Sequence, residues 1–293
     1  MVKEFAVLLS SGRVLEVSEA GDPHGLPIFA LYGTPCSRLF YSPHAADAEG
    51  RHIRLISYNR PGYGNSTPVP GRRMVDDAAD VAAIADSLGL DRFAVWGHSG
   101  GGAPALGCAA ALPQRVVAAA SLAGCAPYPA EGLDWFAGAG ELNVEDFKLM
   151  LDDEAEWELK SRRDADELLK ATPAEVTQIF ATLLSEEDRM ALSSDELSLW
   201  MHDTMQEAYK TGIRGLCDDS LAIAKPWGFD PASIKVPVQV WHGEHDKFVP
   251  FSHGEWFASR IPGAEAHLEK NQGHIGLFVE RVPDVHAWLA AKF

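Results

Sequence analysis

The sequence predicts an α/β protein: a mostly parallel β-sheet with helices on both faces, plus an all-helical segment inserted between strands. Short continuous apolar runs alternate with helix-period stretches up to about residue 126, which is typical of parallel strands buried on both faces. Residues 127–226 carry helical patterns and no strand-like run. Because the alternation then resumes, we predict a core built from residues 1–126 and 227–293, with a helical cap or lid over residues 127–226.

The first part of the chain predicts strands and helices in alternation. Two apolar runs joined by Ser-Gly predict a β-hairpin over residues 5–9 and 14–18. Continuous apolar runs then predict buried strands over residues 27–32, 52–58, 92–96 and 116–122. Helix-period stripes predict one helix over residues 72–88, closed by Gly89, and another over residues 103–112, ended by Pro113.

The middle of the chain predicts consecutive helices. Thr172 and Glu175 form a capping box with Pro173 at the first helical position, and Ser194 begins a helix that we expect to end at Gly212. Residues 131–226 hold 23 acidic and 9 basic side chains, which is most of the net charge of −17. We interpret this acidity as solvated helix faces.

The last part of the chain returns to the α/β pattern. An apolar run predicts a strand over residues 236–242, followed by a helix over 251–260, a short strand over 266–269 and an amphipathic helix over 276–292. Strands from both ends of the chain are therefore expected to join one sheet.

Composition excludes several classes of function. A net charge of −17 makes nucleic acid a poor partner, because phosphate binding needs clustered Lys and Arg. No apolar run approaches the roughly 20 residues of a membrane span, and the N-terminus lacks a signal-peptide pattern, so we expect a cytoplasmic protein. Its four cysteines form no metal-binding or disulfide pattern, which predicts free thiols at Cys36, Cys108, Cys125 and Cys217. We expect a small-molecule substrate; monomer and homodimer both remain open.

Ser99 lies in the pattern G-x-S-x-G, between a predicted strand and a predicted helix. That context is the one required of a nucleophile elbow, a sharp turn that exposes a reactive serine. Side chains two residues either side of the serine would collide in such a turn, which accounts for Gly97 and Gly101. Gly100 then offers a backbone N–H at the start of the helix, where negative charge is stabilised. We therefore predict Ser99 as a nucleophile.

A nucleophilic serine needs a base and an acid that orients the base, and both candidates follow later strands. Asp246 lies in the loop after the predicted strand 236–242, and His274 lies just before the last helix. The carboxyl ends of neighbouring parallel strands meet at one edge of a sheet, so these side chains are expected to converge on Ser99. Glu244 is a rival for the acid. A metal site on His242 and His245 with the two acids is a weaker alternative, and we expect no metal.

Two backbone N–H groups are needed to bind the oxyanion that forms when serine attacks a carbonyl. We predict the Gly100 N–H and the Thr34 N–H, because Pro35 has none to donate. His98 is expected to form a hydrogen bond within the elbow or to line the pocket. Further candidates for the pocket wall are Tyr32 and residues of the helical segment, although packing between helices also explains most of the latter: Trp135, Phe136, Trp157, Trp200, Met201 and Met205.

Together these motifs resemble the α/β-hydrolase-fold serine hydrolases of the lid-bearing AB hydrolase-1 type. The resemblance rests on LYGTPCSR, YNRPGYGNS, VWGHSGGG, HGEHDKFVP and NQGHIG, in the family's order. It implies the triad Ser99, Asp246 and His274, cleavage of an ester-type bond through an acyl-enzyme, and no cofactor. Where the family often has His-Gly at the oxyanion loop, this chain has Tyr32-Gly33, and where it often has Asp before Arg-Pro-Gly, this chain has Asn59.

Other activities on the same architecture stay open at this point. Proline-iminopeptidase-like aminopeptidases, carbon–carbon bond hydrolases and cofactor-free perhydrolases (haloperoxidases) resemble this chain, although the first group usually has Trp and the last commonly has Met where this chain has Gly100. Epoxide hydrolases and haloalkane dehalogenases use Asp as the nucleophile, and Ser99 argues against them. A ligand-binding protein built on the hydrolase fold would usually have lost a member of the triad.

Overall fold

The computed structural model describes residues 2–293, and an eight-stranded sheet runs through it. In chain order the strands are β1 (Lys3–Leu8), β2 (Val14–Gly21), β3 (Leu26–Leu31), β4 (Ile53–Tyr58), β5 (Phe93–His98), β6 (Val116–Leu122), β7 (Val238–Gly243) and β8 (Glu265–Glu269). They lie in the order β1-β2-β4-β3-β5-β6-β7-β8. β2 pairs antiparallel with β1 and β4, and all other neighbours are parallel. The predicted fold class is confirmed.

Helices cover the two faces of this sheet and fill the segment between β6 and β7. In chain order they are α1 (Ser42–Gly50), α2 (Asp77–Ser87), α3 (Gly102–Ala111), α4 (Glu141–Asp152), α5 (Glu154–Leu168), α6 (Pro173–Ile179), α7 (Glu186–Ala191), α8 (Asp195–Tyr209), α9 (Arg214–Ile223), α10 (Phe251–Arg260) and α11 (His274–Ala290).

The central strands are continuous apolar runs because both faces of the sheet are buried. In β3, Phe29 and Leu31 enter one apolar core, together with side chains of α2, α3 and α10. Ile28 and Ala30 enter a second core on the opposite face, with side chains of α1 and α11. Successive side chains of a strand point to opposite faces, so a strand buried on both sides needs an apolar residue at every position.

Two predicted helices differ from the structure at their first turn. The helix predicted over residues 72–88 begins with a 3₁₀ turn at Met74–Asp76 and is α-helical from Asp77 onward. Arg72 lies before the helix and forms a buried ion pair with Asp77. The helix predicted over residues 276–292 begins two residues earlier, at His274. The second difference makes His274 the first residue of α11, and it bears directly on the site.

Between β6 and β7 lie α4 to α9, and residues 127–226, which we name the helical insert, contain no strand in the structure. The capping box at Thr172 and Glu175 is present, and Ser194 accepts the hydrogen bond from the Leu197 N–H that caps α8. Most acidic side chains of the insert are at least partly exposed, as predicted. The interpretation of solvated faces is wrong for three carboxylates that are buried: Asp188, Asp218 and Asp219.

Two further findings concern the described chain as a whole. Cys36, Cys108, Cys125 and Cys217 are free thiols, as predicted. Across residues 2–293, no helix combines the length and the apolar character needed to cross a bilayer.

Candidate active site

Ser99 occupies a strained turn between β5 and α3. Its φ is +53°, a left-handed backbone conformation that is uncommon for any residue with a side chain. The turn brings neighbouring backbone so close that a Cβ at Gly97 would lie 2.0 Å from the Gly101 carbonyl oxygen, and one at Gly101 would lie 1.9 Å from the Leu31 carbonyl oxygen. Only glycine fits at these two positions, which is the steric requirement expected from the sequence.

Gly100 lies against Thr34 of the loop after β3. A Cβ at Gly100 would lie 2.3 Å from Thr34 Oγ1 and 3.0 Å from the Thr34 backbone nitrogen. The Gly100 N–H belongs to the first turn of a 3₁₀ helix, where N–H groups have no intrahelical acceptor. The Thr34 N–H has no hydrogen-bond acceptor among residues 2–293. Two free backbone donors therefore adjoin the Ser99 side chain, as an oxyanion site requires.

A buried network fixes the position of the Thr34 loop. Thr34 Oγ1 donates a 2.7 Å hydrogen bond to the carboxylate of Asp219, which belongs to α9 of the helical insert. Arg60 donates to Thr34 Oγ1 at 3.1 Å, to the Tyr32 carbonyl oxygen and, at 2.5 Å, to Asp219. The loop that carries the candidate oxyanion donor is thus held from both the core and the insert.

Two arginines balance the buried charge of Asp219. Burial alone would raise the pKa of Asp219, but the Arg60 and Arg72 guanidinium groups hold this pKa well below its ordinary value. Arg72 also pairs with Asp77 at 3.1 Å, and both Arg72 and Asp77 are buried. Removal of one partner of such a buried ion pair would strongly destabilise the protein, because it leaves an uncompensated buried charge.

Asp246 and His274 form the second half of the site. His274 Nδ1 lies 2.7 Å from Asp246 Oδ2, and both side chains are buried. The other oxygen of Asp246 accepts backbone N–H bonds from Phe248 and Val249, each at 2.9 Å. The Asp246 carboxylate is therefore fixed in place, and its contact with Nδ1 leaves Nε2 of His274 as the free ring nitrogen.

The surroundings of His274 hold its ring and raise its pKa. Burial alone would lower this pKa, but the charge of Asp246 and its hydrogen bond outweigh burial and raise it. The Phe248 ring stacks on the imidazole at a centroid distance of 4.8 Å. His98 Nε2 donates to the His274 backbone carbonyl at 3.1 Å, and burial keeps the pKa of His98 well below its ordinary value, so His98 is a neutral donor.

Ser99 and His274 line the same cavity, but no hydrogen bond joins Ser99 Oγ to the His274 imidazole in the structure. Such contacts are often long in ligand-free enzymes and tighten in the complex with substrate. The arrangement therefore holds a hydroxyl, an imidazole–carboxylate pair and two backbone donors around one space.

That space is a cavity of about 290 Å³ between the core and the helical insert. Its core-side wall includes His98, Ser99 and His274. The insert contributes a largely aromatic and methionine wall: Trp135, Phe136, Phe147, Met150, Trp157, Phe180, Trp200, Met201 and Met205. No Lys or Arg stands among the described residues that line the cavity.

Eight residues were named from the sequence as candidates for the pocket, and seven of them line the cavity. His98, Trp135 and Trp200 line the cavity, as do the other insert residues named from the sequence. Tyr32 does not, and this prediction was wrong. Its side chain is 2% exposed and packs edge-on against Trp96 at a centroid distance of 5.6 Å, on the α1–α11 face of the sheet.

The rival residues near Asp246 have other contacts. Glu244 is exposed, and its backbone N–H pairs with the carbonyl of Glu269. His242 is buried and donates to the Val249 carbonyl at 2.9 Å, while the exposed His245 lies 3.0 Å from Glu187 of the insert. Within residues 2–293 no group of three or more His, Cys, Asp or Glu side chains is placed to hold a metal ion.

Two of the three buried insert carboxylates contact the core, and neither was predicted from the sequence. Asp219 anchors the Thr34 loop, and Asp188 accepts hydrogen bonds from the Ile275 and Gly276 N–H groups at the start of α11. The only local signal for Asp188 is the helix-start pattern Ser185-x-x-Asp188, which forms a capping box. Nothing local indicates that either side chain crosses to the core.

The chain matches a known protein family over most of its length. The family model for the alpha/beta hydrolase fold matches residues 23–281. The chain is 26% identical to the AB hydrolase superfamily protein YisY of Bacillus subtilis, over 91% of each chain. It is also 26% identical to 2-hydroxy-6-oxononadienedioate/2-hydroxy-6-oxononatrienedioate hydrolase 2 of Pseudomonas putida, over 75% of this chain and 70% of that one.

Solved structures agree on the fold. An esterase from Thermogutta terrifontis superposes with a TM-score of 0.70 at 20% identity, covering 99% of both chains. A bromoperoxidase from Bacillus anthracis superposes with a TM-score of 0.71 at 20% identity, again over 99% of both chains. At these identities the superpositions show the fold alone, whereas the family model covers most of the sequence. The chain belongs to the alpha/beta hydrolase fold family and is a hydrolase by that membership.

Proposed function

We propose that the protein is a serine hydrolase that cleaves carboxylic esters of small molecules through an acyl-enzyme. The observation that carries the proposal is the left-handed turn at Ser99, which opens into the same cavity as the buried pair of His274 and Asp246. The free N–H groups of Gly100 and Thr34 beside Ser99 supply the remaining requirement.

In the proposed reaction, Ser99 Oγ attacks the ester carbonyl carbon while His274 Nε2 takes the hydroxyl proton. Asp246 keeps the Nδ1 proton in place and stabilises the imidazolium. The Gly100 and Thr34 N–H groups bind the oxyanion; one such donor contributes about 2.7–4 kcal/mol to the transition state. Collapse of the intermediate passes the proton from His274 to the departing alcohol. A water molecule, deprotonated by His274, then hydrolyses the acyl-enzyme and restores Ser99.

The cavity supports an uncharged, apolar substrate. A carboxylate buried among the lining residues would have no Lys or Arg to pair with, and burying an unpaired charge is costly. The one carboxylate in the lining, Asp146, is already bonded to Trp157 Nε1 at 3.0 Å and Lys160 Nζ at 2.9 Å. An incoming ammonium group would have to compete with Lys160, which disfavours an aminopeptidase.

The helical insert, in this proposal, acts as a lid. It supplies most of the apolar cavity wall, and part of it forms a separate apolar core that includes Trp157, Val176 and Tyr209. Its residues Leu184, Leu192 and Leu197 instead join the core on the α1–α11 face of the sheet. Helices α4 to α6, whose buried side chains lie in this separate core, can shift to admit substrate while α7 and α9 stay bonded to the core of the protein. The division into residues 1–126 plus 227–293 and residues 127–226 follows from this role.

A panel of substrates tests the proposal. It contains p-nitrophenyl esters of two to twelve acyl carbons, a half-ester of a dicarboxylic acid, a vinylogous 1,5-diketone and a proline amide, each with wild type and Ser99→Ala. We expect hydrolysis of the uncharged esters with loss of turnover in Ser99→Ala, and much slower reaction of the half-ester. Ester turnover that survives Ser99→Ala would contradict the proposal.

Carbon–carbon bond hydrolysis is the second candidate, because two of the first relatives are hydrolases of 2-hydroxy-6-oxononadienedioate. That name denotes a substrate with two carboxylates, for which the described cavity wall offers no cation. Preferential turnover of the diketone in the same panel would favour this candidate over the esterase.

A further inference from the structure

We propose that Asp188 of the helical insert is a positioning residue that fixes the backbone of His274, so that the insert completes the catalytic machinery as well as the pocket wall. This inference rests on the proposed function for its kinetic consequence. Its structural part stands on contacts of Asp188 alone.

The Asp188 carboxylate caps α11 from another part of the chain. Its Oδ1 accepts the Ile275 N–H at 2.7 Å and the Gly276 N–H at 3.0 Å. These are among the first N–H groups of α11, and the residue before His274, Gly273, has no side chain with which to cap them. Asp188 is completely buried, so water does not provide an alternative acceptor.

The contact is tight enough to determine the residue at position 273. A Cβ added at Gly273 would lie 2.4 Å from Asp188 Oδ1 and 2.3 Å from Ser185 Oγ. Ser185 and Asp188 also bond to each other's backbone, with Ser185 N–H donating to Asp188 Oδ2 at 3.2 Å. The start of α7 and the start of α11 therefore fit together as one unit around His274.

His274 is then fixed from several directions at once. Asp246 holds its ring, the His98 Nε2–H holds its carbonyl, and Asp188 holds the two N–H groups that follow. A displacement of about 1 Å of a catalytic group can cost on the order of 100-fold in rate. Loss of the Asp188 contact would free the turn that carries the imidazole.

The charge of Asp188 adds an electrostatic effect. The titratable groups around His274 are Asp246 and His242 from β7 and its loop, His98 from β5 and Asp188 from α7. Burial keeps the pKa values of both neighbouring histidines below their ordinary value, so Asp246 and Asp188 are the charges that His274 senses. Both raise the pKa of His274.

The test uses Asp188→Asn with Glu186→Gln as its matched control. Glu186 lies in the same turn of α7, carries the same charge and is exposed. The first measurement is the pKa of the His274 imidazole by NMR on histidine-labelled protein, assigned with His274→Gln. The second is the pH dependence of kcat and kcat/KM for the best ester.

We expect Asp188→Asn to lower the His274 pKa, to shift the acid limb of kcat/KM to lower pH, and to reduce kcat by about 10- to 100-fold with little change in KM. Glu186→Gln should match wild type. Asp188→Asn with a wild-type His274 pKa and wild-type kcat overturns the inference. A fall in kcat without the pKa shift also overturns it, because disordered packing alone would produce that result.

If Asp188→Asn does not fold, Gly273→Ala is the second variant that tests the inference. It keeps the charge of Asp188, but its added methyl group forces the Asp188 carboxylate away from α11. It should lower kcat and the His274 pKa in the same direction, and wild-type values for both would refute the inference. The NMR measurement needs no substrate. If wild type hydrolyses no ester, the proposed function fails, while the His274 pKa still tests the role of Asp188.

Discussion

The core and the helical insert contribute to the candidate site in different ways. The groups proposed to react all follow core strands: Ser99 in the turn after β5, Asp246 in the loop after β7 and His274 at the start of α11, after β8. The insert supplies the apolar wall of the cavity and two buried carboxylates, Asp188 and Asp219, that bind backbone or side chains of those loops. In the proposed function, the core supplies the reacting groups and the insert holds them in position.

This difference shows that the acidic side chains of the insert do not all form a solvated surface. Asp219 meets two buried arginines from the core, and Asp188 meets the N-terminus of α11. The arginines carry full positive charges, and the N-terminus of α11 carries a partial positive charge. Each buried carboxylate is therefore stabilised only where the insert packs on the core. The insert and the loops of the site are thereby tied together.

The largest effect on the core side is expected at Asp246. Asp246→Asn leaves the shape of the site but removes the acceptor that holds the Nδ1 proton of His274, and kcat should fall by on the order of 10⁴-fold. Glu244→Gln, two residues away and exposed, should leave kcat unchanged. Ester assays on both variants check this; a loss at Glu244→Gln comparable to that at Asp246→Asn would mean the acid was misassigned.

A second core prediction concerns the contact between Gly100 and Thr34. Gly100→Ala places a methyl group 2.3 Å from Thr34 Oγ1, so the two N–H donors must separate, and kcat should fall by about 10²–10³-fold. Gly50→Ala, where an added Cβ meets nothing, is the control for adding a methyl group. An active Gly100→Ala enzyme with normal kcat would exclude this pair as the oxyanion donors.

On the insert side, Asp219→Asn should affect both stability and activity. The substitution leaves Arg60 and Arg72 buried without the charge of their shared partner, which is expected to cost about 3–5 kcal/mol in the free energy of unfolding, and it weakens the hydrogen bond that anchors Thr34. Asp218→Asn is the matched control, because Asp218 pairs with the partly exposed Arg214 and does not touch the loop. Denaturant unfolding and kcat/KM should separate the two: a fall in kcat/KM equal at both positions would contradict a specific role of Asp219.

The smallest effect is the position of the acid limb in the pH profile. The mechanism needs neutral His274, whose pKa is raised above its ordinary value of about 6.5 by Asp246, so kcat/KM should rise with pH through a pKa above 6.5. An ester without ionisable groups keeps the substrate out of the titration. An acid limb with a pKa below 6.5 would show that burial lowers the pKa of His274 more than the neighbouring carboxylates raise it.

That Ser99, Asp246 and His274 come together could be predicted from the sequence, because their arrangement follows from chain order. Parallel strands bring their carboxyl ends to one edge, so a motif after β5, an acid after β7 and a histidine after β8 had to meet there. Tyr32 was misplaced because a continuous apolar run does not reveal which face each residue takes. Its side chain follows the alternation of β3 into the packed face rather than the cavity.

The insert contacts could not be predicted in the same way. The hydrogen bond from Ile275 to Asp188 joins residues 87 positions apart, and the one from Arg60 to Asp219 joins residues 159 apart. In sequence these aspartates look like the many acidic residues around them. Only the tertiary packing of helices distinguishes a solvated carboxylate from one that crosses to the core.

Reaction with a covalent probe shows whether Ser99 is a nucleophile activated by His274 and Asp246. Folded protein is incubated with a fluorophosphonate, and the adduct is located by intact mass and peptide mapping, with Ser99→Ala and Asp246→Asn alongside. We expect a single adduct on Ser99, none in Ser99→Ala, and much slower labelling in Asp246→Asn. Folded wild-type protein that stays unlabelled, or that is labelled elsewhere, would contradict it and favour a ligand-binding protein on the hydrolase fold.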